Sequence, residues 1–469
     1  MKKLLVFIAV ILSLTGCAQN NTPKDKKLTG KAEQLDSLFT QLHNDKKFYG
    51  NVLIAEKGNI VYQKSFGKAS LEKNTALDAE SMFELASVSK QFTAMGIMLL
   101  KKQGKLNYED SLRKFIPELP YYNITIRQLL NHTSGLPDYM GLFATNWDNK
   151  KIAVNKDMIA LLAKYKPAIL FAPGEKWEYS NTGYAMLASI IEKASGMEYG
   201  KYLEKNIFQP LVMKRTVVYR RRYENKIIDN YAYGYVMDQS RKEYVLPDSV
   251  PTTAMMVYAL DGIVGDGTVN STTNDLLKWD MVLYTEKLVS KEMMAEAFSP
   301  ARLNNGKTHN YGFGWGIGKI EGIGKIINHS GGWPGYVTFI ERHPESGKTI
   351  IILRNHETPE PPLQKIRNIL YGIKEVAKKE ILLAVESLDQ YTGEYELAPG
   401  FIITITREND KLYGQATGQE KFELFAEKED MFFLKVVEAK LQFIRNEKGA
   451  INKLILYQGG QETEGLKIK

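Results

Sequence analysis

The sequence predicts an α+β protein: a large domain built on an antiparallel sheet, followed by a small all-β meander or barrel. Three observations support this fold class. Strand patterns occur near residue 50 and return after residue 310, and the pattern between them is mainly helical. Beyond residue 386, short alternating segments are separated by turn residues. The length of 469 residues also exceeds what one ordinary core accommodates.

The first elements are predicted to be a helix and a hairpin. Residues 31–46 have the pattern of an amphipathic helix. Residues 51–55 and 60–64 are strand-like and flank the turn signal Lys57-Gly58-Asn59. Residues 87–103 then form a long helix that is apolar on nearly every side, so we expect it to be buried.

The second half of the sheet is predicted from four strand patterns and a closing helix. The strands are expected at 311–316, 323–328, 336–342 and 349–354, and the helix at 363–379. A sheet whose halves flank a helical region in sequence leaves a cleft between the sheet layer and the helical layer. We expect the functional site in that cleft.

The N-terminus has the pattern of an export signal. Two lysines precede an apolar run over 4–14, which is too short to span a bilayer. The small residues before Cys17, the only cysteine, resemble a bacterial lipobox. The sequence thus predicts a signal peptide over 1–16, a lipidated tether over 17–30 and a protein anchored to a bacterial membrane, periplasmic or at the cell surface. The alternative is an ordinary cleaved signal with an incidental cysteine.

Composition argues against several classes of function. The net charge of +8 comes from 62 basic and 54 acidic residues spread along the chain, whereas nucleic-acid binders concentrate their cations. The six histidines include no H-E-x-x-H motif, so neither a metal nor a cofactor is indicated. The G-x-S-x-G pentapeptide of the α/β-hydrolases is also missing.

The first motif with chemical meaning is Ser87-Val-Ser-Lys90, at the start of the apolar helix. Residues three apart share a helix face, so the Lys90 amine can reach the Ser87 hydroxyl. A serine is a weak nucleophile until a base takes its proton, and a lysine can be that base only where its neutral form is favoured. On its own, S-x-x-K is a common chance pattern.

Two further motifs gain meaning beside the first. In Tyr179-Ser-Asn181, the phenol can relay a proton and the Asn181 amide can orient a substrate amide. In His329-Ser330-Gly331-Gly332, a glycine pair after an apolar strand allows a substrate backbone to approach closely. The similar His132-Thr-Ser-Gly135 lacks a flanking apolar strand, which favours a structural turn.

Together these motifs resemble the serine β-lactamase and penicillin-binding-protein superfamily. The likeness is to the branch that contains class C β-lactamases, D,D-carboxypeptidases, D-aminopeptidases and esterases, and it covers about residues 35–380. Four further segments share it: Leu129-Leu-Asn-His-Thr-Ser-Gly-Leu136, Phe171-Ala-Pro-Gly174, Tyr179-Ser-Asn-Thr-Gly-Tyr184 and Gly265-Asp-Gly-Thr-Val-Asn-Ser271.

The resemblance implies a β-lactamase-like hydrolase domain over 31–384, with helices on both faces of the sheet, and a lipocalin-like domain over 385–469. Ser87 would form an acyl-enzyme, with Lys90 and Tyr179 as its bases. The substrate would contact a further set of residues: Asn181, His329, Ser330, Gly331 and Gly332. The N–H groups of Ser87 and Gly332 would form the oxyanion hole.

His329 stands where many members of the family have lysine, and a histidine is only partly charged near neutral pH. This difference argues against a dedicated β-lactamase. The expected substrates are small molecules or peptides of the D-amino-acid type, with peptidoglycan among the candidates, and the expected activity is that of a D,D-carboxypeptidase-like peptidase. Esters and β-lactams come next, and a stalled penicillin-binding sensor is the remaining alternative.

Overall fold

The computed structural model describes residues 28, 30–374, 380–398, 400–435, 437, 439–458 and 461–469. The predicted signal peptide, Cys17 and nearly all of the tether lie outside the described residues. Up to residue 374 the described strands are β1 (Gly50–Glu56), β2 (Asn59–Phe66), β3 (Lys68–Ser70), β4 (Thr75–Ala76), β5 (Phe83–Glu84), β6 (Val217–Val218), β7 (Val236–Asp238), β8 (Glu243–Val245), β9 (Val269–Ser271), β10 (Ala301–Arg302), β11 (Thr308–His309), β12 (Gly316–Ile320), β13 (Gly324–Trp333), β14 (Tyr336–His343) and β15 (Lys348–Arg354).

Helices connect these strands and surround them. The described α-helices are α1 (Lys31–Asn44), α2 (Lys90–Lys102), α3 (Leu112–Phe115), α4 (Ile126–Leu130), α5 (Tyr139–Asn146), α6 (Asn155–Tyr165), α7 (Asn181–Ser195), α8 (Tyr199–Leu203), α9 (Arg221–Glu224), α10 (Pro251–Ala259), α11 (Thr273–Val282), α12 (Lys291–Ala297), α13 (Leu363–Tyr371) and α14 (Val385–Leu388). Most of them fall between β2 and β12, as the helical pattern predicts.

The central sheet has six antiparallel strands in the order β12-β13-β14-β15-β1-β2. The two halves predicted from the sequence meet where β1 pairs with β15. This confirms the predicted α+β class and the single sheet that the helical region divides in sequence.

Alternation along the central strands directs side chains into two separate cores. On β15, Ile350 and Ile352 pack with α1 and α13 on one face, while Ile351 and Leu353 join the helical layer on the other. Each of these side chains is buried, and burying one such side chain contributes about 1.5–3 kcal/mol. The predicted helices on both faces of the sheet are therefore present.

The helix predicted over 87–103 begins as a different structure. Residues Ala86–Ser89 form a 3₁₀ turn, and α2 starts only at Lys90. Ala86 has φ +47°, a left-handed conformation that a residue other than glycine adopts at a cost. In α2 the eleven residues from Lys90 to Leu100 are all buried, which explains why its sequence shows no polar face.

Two sheet boundaries were predicted wrongly. The strand expected at 311–316 is a turn, and β12 follows it. Gly314 in this turn has φ +75°, and a Cβ there would lie 2.9 Å from the Lys90 carbonyl oxygen, so the chain turns tightly against α2. The strand expected at 323–328 continues as β13 to Trp333, so the His329 motif lies within the strand and not at its end.

The helix predicted over 363–379 is shorter in the structure. It ends at Tyr371, where Gly372 caps it in a left-handed conformation with φ +68°. Residues 375–379 lie outside the described residues.

The C-terminal strands form a closed antiparallel barrel: β16 (Gly393–Ala398), β17 (Phe401–Glu408), β18 (Lys411–Ala416), β19 (Phe422–Lys428), β20 (Met431–Phe433), β21 (Ala439–Arg445), β22 (Ile451–Gln458) and β23 (Gln461–Lys467). Successive strands pair, and β16 pairs with β23 to close the barrel. This up-and-down order agrees with the lipocalin-like expectation. Strands β16 to β22 lie in the region beyond residue 386 where short alternating segments predicted strands, whereas β23 was not predicted.

Within the described part of the chain, the helices are all too short or too polar to cross a bilayer.

Candidate active site

The 3₁₀ turn before α2 holds Ser87 against the central sheet. Gly331 of β13 is the contact: a Cβ on Gly331 would lie 3.1 Å from the Ser87 nitrogen and 2.3 Å from the Leu85 carbonyl oxygen. Thr338 of β14 fixes the same turn, because its hydroxyl donates to the Leu85 carbonyl at 2.7 Å. The 3₁₀ turn Ala86–Ser89, called the nucleophile turn below, is therefore in backbone contact with β13, and only a glycine at 331 allows this contact.

Lys90 lies at the first residue of α2 with its amine directed at Ser87. Its Nζ donates to Ser87 Oγ at 3.0 Å, to Asn181 Oδ1 at 2.8 Å and to the Asp266 carbonyl oxygen at 2.8 Å. The side chain is fully buried. All three acceptors are neutral oxygens, so the amine is held in place without a contacting carboxylate.

Tyr179 stands beside this amine at the mouth of the site. The Lys90 Nζ lies 4.9 Å from the centroid of the Tyr179 ring, and 38% of the tyrosine is exposed. Ser180 caps α7 by accepting from the Gly183 N–H at 3.1 Å, which fixes the backbone between Tyr179 and Asn181. The three predicted catalytic residues, Ser87, Lys90 and Tyr179, are thus brought together, and Asn181 joins them.

Asp266 is part of the site, although sequence reasoning gave it no role. Its carbonyl accepts from Lys90, and its carboxylate accepts from the Tyr139 hydroxyl at 2.9 Å. Burial raises the pKa of Asp266, and the charge of Lys90 opposes this effect. The Gly265-Asp-Gly segment, which carried part of the family resemblance, was the available signal.

The last residues of β13 form a free sheet edge. Strand β12 pairs with β13 only as far as Asn328, so residues 329–333 have β14 on one side and no strand on the other among the described residues. Ser330 and Gly332 are exposed on this stretch, and a Cβ on Gly332 would meet nothing within 4 Å. Such an edge can pair with an extended backbone.

His329 is neutral at physiological pH, which corrects the expectation of partial charge. Only 6% of the residue is exposed. Its Nδ1 lies 2.6 Å from the Ser330 carbonyl oxygen, so that nitrogen carries the proton, and Nε2 accepts from the Tyr311 hydroxyl at 2.8 Å. Burial, with a smaller contribution from the charge of Lys90, lowers the pKa of His329 to about 3.

His132, which the sequence favoured as part of a structural turn, packs directly behind Tyr179. The centroids of the two rings are 4.4 Å apart, and His132 Nδ1 accepts from the Ser180 N–H at 3.0 Å. Burial first, and then the charge of Lys90, lowers the pKa of His132 well below its ordinary value. A buried neutral imidazole thus supports the position of Tyr179, and the centroid of the Tyr311 ring lies 4.7 Å from that of the same imidazole.

A cavity of about 240 Å³ opens beside Tyr179 and Asn181. Two carboxylates, Asp138 and Glu178, line it, together with the apolar side chains of Leu170 and others. The lining contains neither lysine nor arginine. In the described part of the chain, moreover, no group of three or more His, Cys, Asp or Glu side chains is placed to hold a metal ion.

Comparisons with known proteins agree with this geometry. A family model described as Beta-lactamase matches residues 35–371, and one described as Domain of unknown function (DUF3471) matches residues 377–467. Penicillin-binding protein 4* of Bacillus subtilis is 45% identical over 449 residues, which are 94% of this chain and 99% of that protein.

Two solved structures show the same fold. The octameric penicillin-binding protein homologue from Pyrococcus abyssi has a TM-score of 0.64 and 25% identity over 92% of this chain and 99% of that one. The D-amino acid amidase from Ochrobactrum anthropi, solved with L-phenylalanine amide, has a TM-score of 0.58 and 23% identity over 72% of this chain and 99% of that one. The family match, the relative from Bacillus subtilis and the site geometry lead to one conclusion: the chain belongs to the β-lactamase family.

Proposed function

We propose that this protein is a serine hydrolase that cleaves an amide or ester through an acyl-Ser87 intermediate. The observation that carries the proposal is the 3.0 Å hydrogen bond between a fully buried Lys90 amine and the Ser87 hydroxyl. A nucleophile in contact with its base is the arrangement that acyl transfer requires.

The proton would move through Lys90 and Tyr179. Because the Lys90 amine donates three hydrogen bonds in the resting site, it must first release one proton. Ser87 Oγ then forms the new bond to the substrate carbonyl carbon as its own proton passes to Lys90. Tyr179, beside that amine and partly exposed, passes the proton to the leaving group as its bond to the carbonyl carbon breaks. A water molecule then releases the acyl group by the reverse proton path. His132 holds the Tyr179 ring in the position that this path needs.

The negative oxygen formed during acylation would be bound by the N–H groups of Ser87 and Gly332. The close packing of Gly331 on the Ser87 nitrogen supports this, because it brings the nucleophile turn and the end of β13 together. Backbone N–H groups arranged in this way stabilise an oxyanion without reorganising during the reaction.

The free edge of β13 favours a substrate with an extended backbone, such as a peptide of D-amino acids. The cavity beside Tyr179 is lined by Asp138 and Glu178, and His329 is uncharged. A leaving group with a free carboxylate would be repelled there, so the geometry favours an amide, ester or peptide with an uncharged leaving group over a D,D-carboxypeptidase substrate.

The test is a comparison of Ser87→Ala with wild type and with Ser299→Ala, which removes an exposed serine hydroxyl elsewhere. We expect Ser87→Ala to lose covalent labelling by a fluorescent fluorophosphonate and to lower turnover of a chromogenic D-alanyl ester at least about 10³-fold. Ser299→Ala should behave like wild type. Labelling of Ser87→Ala at the wild-type rate would refute the proposal.

A stalled penicillin-binding protein is the second candidate, favoured by the name of the relative from Bacillus subtilis. Intact-mass spectra taken over time separate the two: a hydrolase loses its acyl group and releases product, whereas a stalled protein stays acylated.

We also propose that the protein is exported and attached to a bacterial membrane through Cys17, supported by the lysines and the apolar run at the N-terminus.

A further inference from the structure

The three acceptors around the Lys90 amine differ in the hydrogen bonds that they can make. The Asp266 carbonyl oxygen and Asn181 Oδ1 can only accept, whereas the Ser87 hydroxyl can both accept and donate. Only the hydrogen bond to Ser87 can therefore reverse its direction when the amine loses a proton. The other two acceptors are anchors, which hold an N–H group of the amine in both of its charge states.

The two anchors determine where the lone pair of the neutral amine points. The four substituents of an ammonium nitrogen are tetrahedral, so two fixed N–H directions also determine the third. When the proton facing Ser87 leaves for solvent water, the two remaining N–H groups stay on Asp266 and Asn181. The lone pair of Lys90 then takes the third direction, towards Ser87 Oγ at 3.0 Å, where it can accept the serine proton.

The two anchors are held in place in different ways. Asn181 is the first residue of α7, and Ser180 caps the start of that helix. Asp266 instead lies in a bend between Gly265 and Gly267, and glycines leave the backbone more conformational freedom than other residues do. The direction of the Asp266 carbonyl therefore needs a constraint from outside the bend.

Tyr139, the first residue of α5, supplies that constraint. Its hydroxyl donates to Asp266 Oδ2 at 2.9 Å, and its backbone N–H donates to Thr182 Oγ1 at 2.9 Å. Thr182 directly follows Asn181, and both Tyr139 and Thr182 are buried. Tyr139 thus joins the two anchors, so that the contacts run from Lys90 through Asp266 and Tyr139 to the start of α7 and back to Lys90.

Resting on the proposed acyl-Ser87 chemistry, we propose that Asp266 and Tyr139 are positioning residues that direct the lone pair of Lys90 at the Ser87 hydroxyl. Tyr139 holds the side chain of Asp266, and this side chain holds the carbonyl that accepts from the amine. Without this anchor the neutral amine would rotate about its Cε–Nζ bond, and its lone pair would face Ser87 for only part of the time.

The experiment measures the rate at which a fluorescent fluorophosphonate labels Ser87 in Tyr139→Phe, in Asp266→Ala and in the double variant. The control is Tyr62→Phe, because Tyr62 donates a comparable hydrogen bond to Asp36 Oδ1, at 3.1 Å, in the core under α1. All rates are measured at a temperature at which thermal unfolding curves show every variant to be folded.

We expect Tyr139→Phe and Asp266→Ala each to slow labelling about 10- to 100-fold, since small misplacements of a catalytic group have effects of this size. The double variant should be no slower than the slower single variant, because both changes remove the same hydrogen bond. Asp266→Asn, whose amide oxygen can still accept from Tyr139, should label faster than Asp266→Ala. Tyr62→Phe should match wild type.

A second comparison, in the Lys90→Ala background, tests whether Tyr139 acts through the amine. Tyr139→Phe should then leave the remaining labelling rate, followed over hours, unchanged. A slowing by the same factor as in the presence of Lys90, multiplied effects in the double variant, or a wild-type rate for Tyr139→Phe would overturn the proposal. Failure of the hydrolase proposal would appear separately, as labelling of Lys90→Ala at the wild-type rate.

Discussion

Lys90 and His329 are both buried in one pocket, yet their hydrogen-bond partners favour different charge states. Lys90 donates three hydrogen bonds to neutral oxygens. His329 donates one from Nδ1 and accepts one from Tyr311 at Nε2, so both nitrogens are satisfied only in the neutral ring. Burial first disfavours the charged ring, and protonation would also place a second cation beside Lys90, so both effects lower the pKa of His329.

The neutral state of His329 predicts how activity depends on pH. Because the pKa of His329 is about 3, the ring stays neutral from pH 5 to 8 and cannot contribute a step to the profile there. We expect His329→Gln to change the level of kcat/KM for a chromogenic ester but not the shape of its pH profile between pH 5 and 8. An acidic limb near pH 6.5 in wild type that disappears in His329→Gln would contradict this.

For single residues, the sequence predicted those members of the site that lie close together in the chain or belong to motifs that resemble a family. Ser87 and Lys90 follow from helical spacing, and Tyr179 and Asn181 follow from the resemblance. The contact between Asp266 and Tyr139 joins positions 127 residues apart, and nothing in either local pattern indicates it. The charge of His329 likewise depends on Tyr311, whose position against it only the folded chain determines.

Among the elements, β13 contributes its backbone to the site at two neighbouring glycines with different surroundings. At Gly331 an added Cβ would lie 2.3 Å from both the Leu85 carbonyl oxygen and the Thr338 hydroxyl. At Gly332 it would meet nothing within 4 Å. One glycine is required by packing against the nucleophile turn, and the other faces open space where a substrate would lie.

Gly331→Ala should therefore separate β13 from the nucleophile turn. A displacement of about 1 Å in a catalytic group lowers rates about 10²-fold, so we expect a loss of that order in the rate at which a fluorophosphonate labels Ser87. The melting temperature of Gly331→Ala should also fall, whereas Gly332→Ala should have the same melting temperature as wild type. Stopped-flow labelling and thermal unfolding measure the two effects, and equal melting temperatures for both variants would show that the Gly331 contact is not required.

The elements themselves were largely predictable, and the errors have local causes. Strands β1, β2, β14 and β15 follow the predicted segments because their apolar residues alternate or run continuously. The strand expected at 311–316 fails because Gly314 packs on the Lys90 carbonyl, a tertiary contact. Strand β23 was not predicted because its sequence, Gln461-Glu-Thr-Glu-Gly465, is polar. Its backbone becomes a strand because it pairs with β16 and β22 and so closes the barrel.

For the whole molecule, the barrel has a hydrophobic core of its own. Tyr391, Tyr395, Phe432 and Phe443 pack against one another inside it, with ring centroids 4.8–5.6 Å apart. The core of the helical layer and the core under α1 and α13 are built entirely from residues before 374. Each part thus has the apolar interior that independent folding requires.

We therefore expect a chain that ends at residue 374 to fold and to hydrolyse a small chromogenic ester with kcat/KM within about threefold of the full chain. Circular dichroism and steady-state kinetics test this. A large loss on the ester would show that the barrel contributes to the site. A loss confined to polymeric substrates would assign the barrel to substrate access.

The point where β12 stops pairing has a consequence for how such a protein could change over time. Pairing ends at Asn328 because the chain turns away at Gly316, and the next five residues of β13 are left available. Two or three inserted residues that prolonged the ladder would occupy that space with the protein's own backbone. The serine, lysine and tyrosine would all remain, yet no peptide could dock. A relative could thus become inactive through loop length alone, with every signature motif unchanged.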